Sequence, residues 1–180
     1  MRVYLLACAG LLAACQSTMY NEASPYFDIP LNSKLTLKQT LEIPPHQVGV
    51  YMQDGKVLRS ALIDKYYANC RLEVSDLRST AQKVAPDTFS VYRIRYDEDY
   101  SARNMRFAAA DGYVFADGGA SPQSYATLIY LRSAKQPNVV RMACQHWEDP
   151  EDAQHLSIRQ MRKAMGDIFT LQLATTPAPP

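Results

Sequence analysis

Apolar and polar residues alternate over most of the chain, with the period of two that is typical of half-buried β-strands. Two of the alternating stretches meet at Asp54-Gly55, a dipeptide that favours a tight hairpin turn because both of its positions accept positive φ. The pattern therefore predicts an antiparallel sheet or a small sandwich of about seven strands. The expected strands cover residues 35–43, 47–53, 56–58, 67–74, 88–96, 126–131 and 139–147.

Near the C-terminus the apolar period changes from that of a strand to that of a helix. Ser157 and Gln160 have the spacing of a capping box, so we expect one helix over residues 157–169. With this helix packed on the sheet, the predicted fold class is α+β and β-rich. The apolar stripe of the helix consists of Ile158, Met161, Met165 and Ile168.

The chain starts with Arg2 and an apolar run from Val3 to Ala14. A membrane-spanning helix needs roughly 20 apolar residues, so this run is too short to be one. A positive start, a short apolar run and small residues at its end are typical of a secretory signal. The final residues Leu12-Ala13-Ala14-Cys15 resemble the lipobox of bacterial lipoprotein signals, and the resemblance covers residues 1–16.

This resemblance implies that residues 1–14 are removed and that Cys15 is acylated on its sulfur and on its new N-terminus. Two or more acyl chains hold a protein firmly on a bilayer, so a membrane is the first expected partner. In the lipoproteins of enteric-type bacteria, an Asp after the lipidated cysteine favours the inner membrane. Gln16 stands there instead, which implies the outer membrane, with the domain facing the periplasm.

The domain boundaries follow from this leader and from composition. Residues 15–34 contain two prolines and no clear period, so we expect a lipidated N-terminus and a flexible spacer. Residues 35–171 form the single globular domain, and the proline-rich residues 172–180 are expected to be disordered. The chain has 19 basic and 18 acidic residues, and this balance gives no large basic field of the kind that binds nucleic acid.

Two cysteines remain once Cys8 is removed with the leader and Cys15 is acylated. Cys70 and Cys144 both lie on the apolar side of alternating stretches. An exported domain is in an oxidising compartment, so this pair predicts a disulfide rather than two buried thiols.

Two surfaces are candidates for binding. Tyr92 and Tyr96, with Tyr66 and Tyr67, could stack on a sugar or peptide, although tyrosine is also common on half-buried sheets. The helix presents a basic face that could meet anionic lipid headgroups or cell-wall carboxylates, although such faces are often only solvated. That face consists of Arg159, Arg162 and Lys163.

The sequence signals for catalytic residues are weaker than those for a binding surface. The chain has no Gly-x-Ser-x-Gly motif, and with Cys144 in a disulfide His146 and His155 are too few for a zinc site. We expect no metal and no cofactor. The domain is similar to small uncharacterised lipoproteins of Gram-negative bacteria, which favours a non-enzymatic binding or assembly module for envelope proteins or cell wall. The alternative is a small envelope hydrolase with a cleft under the irregular 100–125 loop, near His146.

Overall fold

Ten β-strands and one α-helix are present in the part of the chain that the computed structural model describes, residues 21–98, 122–152 and 154–175. The α+β, β-rich class is therefore confirmed. The strands are β1 (Lys34–Leu37), β2 (Leu41–Ile43), β3 (Gly49–Gln53), β4 (Lys56–Leu58), β5 (Asn69–Val74), β6 (Gln82–Val84), β7 (Asp87–Glu98), β8 (Gln123–Arg132), β9 (Val139–Glu148) and β10 (Phe169–Gln172). The helix α1 covers Ile158–Met165, and short 3-10 turns cover Ser60–Leu62, Pro150–Asp152 and Gly166–Ile168.

Eight strands form one curled antiparallel sheet in the order β10-β1-β7-β8-β9-β5-β3-β4, and β2 pairs with β6 in a separate two-stranded sheet. The helix packs on β3 and β5 towards one end of the large sheet and on β10 at the other end. It therefore lies across the concave side, where the main hydrophobic core is. We call this side of the sheet the core face and the opposite side the outer face.

The expected number of about seven strands is wrong, and three local features explain the difference. The stretch 35–43 is divided into β1 and β2. The polar stretch before Pro86 contains β6, whose three residues are too short to show a period. The predicted helix ends early, at Met165, because Gly166 has φ 53° and ψ −139°, and the chain then continues into β10.

The beginning of the helix is as the sequence predicts. The Ser157 hydroxyl accepts a hydrogen bond from the Gln160 amide, and the Gln160 side-chain oxygen accepts one from the Ser157 amide. These two bonds satisfy backbone donors that a helix start otherwise leaves unpaired. All four residues of the predicted apolar stripe are buried.

The structure places residues 21–33, the second half of the expected spacer, against the domain. Ile29 is buried in the core, and the Asn32 amide donates to the Val91 carbonyl oxygen at 2.8 Å. We call residues 21–33 the N-terminal strap. At the other end, the expected tail begins too early, because Gln172 belongs to β10 and the Ala174 amide donates to the Ser33 hydroxyl. Residues 15–20 and 176–180 lie outside the described residues.

Cys70 and Cys144 form a disulfide between the neighbouring strands β5 and β9. The two residues are directly opposite in the sheet, with 4.0 Å between their Cα atoms, and both are fully buried on the core face. The bond joins positions 74 residues apart in the chain. It links two central strands of the sheet.

Candidate binding surface

The outer face of the sheet is rich in arginine and tyrosine. Residues directly opposite one another on paired strands share a face, so the register assigns these side chains without ambiguity. One row runs Arg93, Tyr130, Arg141, Glu73 across β7, β8, β9 and β5. The next row places Arg95 on β7, Arg71 on β5 and Tyr51 on β3.

Tyr130 lies between two guanidinium groups. The Arg93 guanidinium carbon is 5.3 Å from the centre of the Tyr130 ring, and that of Arg141 is 5.7 Å away. Arg141 also donates to the Tyr130 hydroxyl at 3.3 Å. Both distances to the ring are within the range of cation–π attraction, which favours a cation near the electron-rich face of the ring.

Glu73 connects this group to a second one. Its carboxylate accepts from Arg141 Nε at 2.6 Å and lies 3.3 Å from Arg71 Nη1. The Arg71 guanidinium carbon is in turn 5.1 Å from the centre of the Tyr51 ring. The buried carboxylate thus holds two arginines in place, and the two positive charges of the arginines exceed its single negative charge.

Gly49 provides the space in which Arg71 lies. A Cβ atom at position 49 would be 2.7 Å from Arg71 Nε and 2.5 Å from the Leu72 carbonyl oxygen. Both contacts are shorter than a carbon atom tolerates. The absence of a side chain at position 49 therefore permits the stacking of Arg71 on Tyr51.

A β-bulge adds Tyr92 to the outer face. The register of β7 on β8 shifts between Val91 and Arg93, so that Tyr92 is an extra residue in the strand. The Arg132 guanidinium carbon is 4.7 Å from the Tyr92 ring centre, and the rings of Tyr92 and Tyr130 are 6.1 Å apart. Tyr92 is 42% exposed.

These residues form one surface, which we call the arginine–tyrosine face. It consists of Arg71, Arg93, Arg95, Arg132, Arg141, Tyr51, Tyr92 and Tyr130. On the same face of these strands, the carboxylates are Glu73 and Asp97, so the cations are in excess. Guanidinium groups bind carboxylates and phosphates through paired hydrogen bonds, and Arg93, Arg95 and Arg132 are exposed enough to do so.

The expectation that Tyr92 and Tyr96 belong to one surface is wrong, because Tyr92 is the extra residue of the bulge and lies on the outer face. Tyr96 extends from the core face, where its hydroxyl donates to Asp28 of the strap and its ring is 4.8 Å from that of His155. Burial, then the bond to Asp28, raises the pKa of Tyr96. Of the other tyrosines, Tyr66 lies on the loop before β5, edge-on to Trp147 at 6.1 Å.

A cleft of about 410 Å³ lies where β7 ends and β8 begins. His155 lies between the rings of Tyr96 and Tyr125, and its Nδ1 is buried with no hydrogen-bond partner among the described residues. Burial lowers the pKa of His155 below the ordinary value of 6.5, although the nearby Glu98 opposes this shift. The described residues lining the cleft are Pro25, Tyr26, Glu98, Gln123, Tyr125, Gln154 and His155.

The described lining of the cleft does not supply the parts of the alternative hydrolase, and most of its 100–125 loop lies outside the described residues. His146 is buried on the core face, where Nε2 is 2.7 Å from the Gln154 carbonyl oxygen and Nδ1 is 3.3 Å from Glu148. It does not line the cleft, and the described lining residues include neither a serine nor a cysteine. The described part of the chain also brings together no group of three His, Cys, Asp or Glu side chains suited to a metal ion.

The predicted basic face of the helix is divided between two roles. Arg159 is exposed, and Lys163 lies 3.4 Å from the Asp54 carboxylate. Arg162 is only partly exposed, because it bonds the Glu22 carboxylate of the strap and donates to the Leu171 carbonyl oxygen at 2.9 Å. Arg162 therefore fastens the strap to the domain.

The sequence contained a weak signal for the arginine–tyrosine face, namely arginine at alternate positions such as Arg93 and Arg95. The near-neutral charge of the whole chain concealed it.

Cys15 lies outside the described residues, and in those residues no helix is long and apolar enough to cross a membrane. The chain matches no protein-family model, no curated protein and no solved structure.

Proposed function

We propose that the protein is a lipid-anchored envelope protein whose domain is a non-catalytic binding module, and that the arginine–tyrosine face binds an acidic polysaccharide. The observation that carries this proposal is the series of contacts among guanidinium groups and aromatic rings from Tyr92 to Tyr51 across five strands, joined between Arg141 and Arg71 by Glu73. Such a surface offers paired hydrogen bonds to carboxylates or phosphates and flat apolar surfaces to the C–H faces of sugar rings.

The arginines are held ready for an anionic ligand. Arg71 and Arg141 are fixed by Glu73, and Arg132 and Arg93 are each placed near a tyrosine ring. A side chain that is already ordered loses less conformational entropy on binding, which favours affinity. The curvature of the sheet presents these groups on the side opposite the helix.

The disulfide supports export, because disulfides persist in oxidising compartments and are rare in a reducing cytosol. The lipobox at residues 12–15 supplies the anchor, and Gln16 favours the outer membrane with the domain in the periplasm. The cell-wall polymer and the acidic sugars of the envelope are the anionic glycans that such a protein meets. Mass spectrometry of the native protein tests the anchor: acylated Cys15 as the first residue is the expected result, and an intact Met1 contradicts it.

Binding is tested with polygalacturonate, which carries a carboxylate on each sugar, and with its methyl ester, which has the same backbone without the charge. We expect binding to the acid alone, and weaker binding at higher salt. The double variant Arg93→Ala/Arg132→Ala should bind at least about tenfold more weakly, because one charge-assisted hydrogen bond contributes about 1.5–3 kcal/mol.

The matched control is Arg59→Ala, which removes an exposed arginine before the 3-10 turn at Ser60–Leu62. It should bind as the unmodified protein does. Equal binding of the ester and the acid, or an equal loss in the Arg59 control, would show that the arginine–tyrosine face is not a site for acidic glycans.

A further inference from the structure

The point at which the chain joins the domain is fixed by contacts of the strap. The Arg159 amide donates to the Glu22 carbonyl oxygen at 3.1 Å, and the Glu22 carboxylate is bonded by Arg162. Both partners are on α1. The chain therefore enters the domain beside this helix, on the side of the sheet opposite the arginine–tyrosine face.

The length of chain before this point is short. Residues 16–20 separate Cys15 from Asn21, the first described residue. A fully extended chain of this length spans about 20 Å at most. A domain of this size is on the order of 40 Å across, so an anchor at Cys15 would hold one particular side of the domain close to the bilayer.

We infer that the side formed by Glu22, Tyr26, Arg159 and Lys163 lies against the phospholipid headgroups of the membrane that holds the anchor. This inference rests on the lipid attachment proposed above. The arginine–tyrosine face then points away from the bilayer, towards the polymer that it binds.

The exposed chemistry of this side fits a headgroup surface. Tyr26 lines the cleft beside His155, just before α1, and is 85% exposed. Tyrosine is enriched at membrane–water interfaces. Arg159 is exposed, and the Lys163 side chain is 76% exposed, so both can approach anionic headgroups. Glu22 and Asp54 lie beside cations of this side, so its net positive charge is small. The acyl chains therefore provide the attachment, and these residues set the orientation.

The experiment uses the chain from Cys15 to Pro180, coupled through the Cys15 thiol to a maleimide lipid in phosphatidylglycerol-containing vesicles. Cys70 and Cys144 do not react, since they are in the disulfide. Acetylation of lysines, read by mass spectrometry, is compared with that of the same protein in detergent. Lys163 should become several-fold less reactive on vesicles, whereas Lys135, on the turn between β8 and β9, should not change.

Three variants make the test specific. Lys38 is exposed and lines the same groove as Glu22 and Arg162. The double variant Arg159→Glu/Lys38→Glu should therefore reduce the protection of Lys163, whereas Lys135→Glu should leave it unchanged. A long glycine–serine insertion after Thr18 should abolish the protection, because the domain could then move away from the surface. Equal reactivity of Lys163 and Lys135 on vesicles, or protection that survives the insertion, would overturn the inferred orientation.

Failure of this proposal and failure of the proposed function give different results. Chemical coupling supplies the anchor whatever the cell does to Cys15. An unmodified Cys15 in the native protein would therefore remove the lipoprotein proposal while the coupled protein still reports on orientation.

Discussion

Gly55 and Gly166 are in backbone contact, although one lies in the β3–β4 turn and the other at the C-terminal end of α1. A Cβ at position 166 would be 2.3 Å from the Gly55 Cα, and both residues have positive φ, 73° and 53°. The Gly55 amide also donates to the Ala164 carbonyl oxygen at 3.1 Å. The hairpin turn thus closes the end of the helix and joins it to the sheet.

Replacing Gly166 by alanine should therefore be strongly destabilising. The new side chain would meet the Gly55 backbone, and the backbone conformation of Gly166 is one that residues with a Cβ rarely adopt. We expect a loss of about 3 kcal/mol in the free energy of unfolding, measured in urea, since such a conformation alone costs about 1–3 kcal/mol.

Gly55→Ala is the matched comparison. Its Cβ would be 3.3 Å from the Gly166 Cα, so the contact is tighter than usual but does not force a large shift. A smaller loss of stability is expected. If Gly55→Ala costs as much as Gly166→Ala, close contact is not the reason for glycine at position 166.

The disulfide should contribute strongly to stability. Closing a loop of this length lowers the entropy of the unfolded chain by an amount worth about 4 kcal/mol. The double variant Cys70→Ala/Cys144→Ala should lose most of that free energy, read as a lower urea midpoint. Adding reductant should lower the midpoint of the unmodified protein and leave that of the double variant unchanged. A midpoint insensitive to reductant in both proteins would contradict this account.

Protonation of His155 should destabilise the fold. Burial lowers its pKa in the folded state, so between the folded and unfolded pKa values the unfolded chain binds more protons. The stability that neutral His155 provides is fully present above pH 6.5, the ordinary histidine pKa. It is lost as the pH falls through the lower pKa that His155 has in the folded protein. Urea midpoints measured across this range should decrease with falling pH.

His155→Gln removes the titrating group and should flatten that part of the pH profile. His46→Gln, on an exposed turn that is not part of the cleft lining, is the matched control substitution. A steep decrease that persists in His155→Gln would assign the effect to other groups.

The hydroxyl of Tyr96 should hold the strap. Tyr96→Phe removes the solvent-exposed hydrogen bond to Asp28. A loss of about 1 kcal/mol in the free energy of unfolding is expected. Amide exchange in residues 28–33 should accelerate more than exchange in β5. Tyr66→Phe provides the control, since its ring contacts Trp147 and should not affect the strap. Unchanged exchange in the strap would show that Asp28 is held by other contacts.

Local patterns predicted the elements that depend on neighbouring residues. The Asp54-Gly55 hairpin, the capping box at Ser157 and the core-facing pair Cys70 and Cys144 all follow from short-range chemistry. The strand β6 and the order of strands depend instead on partners far away in the chain. The sequence of the strap shows no apolar period, so it does not predict that Ile29 is buried in the core.

The binding surface was harder to predict for the same reason. A bulge of one residue at Tyr92 reverses which side chains share a face, and strict alternation cannot reveal it. Arg93, Tyr130 and Arg141 become neighbours through strand pairing alone. Their attraction depends on the register of three strands, which composition and spacing do not specify.

The order of the large sheet has one more consequence, for self-association. Its two borders are β4 and β10, with three and four residues, and the exposed Lys56 lies in β4. Open backbone groups on a long, flat border would allow another chain to add a strand, whereas short borders carrying a charge offer little template for such growth. The long strands β8 and β9 lie between two paired neighbours, whereas β1 pairs with β7 only over Asp87–Ser90. The two short borders of this sheet therefore pose less risk of aggregation than its overall length suggests.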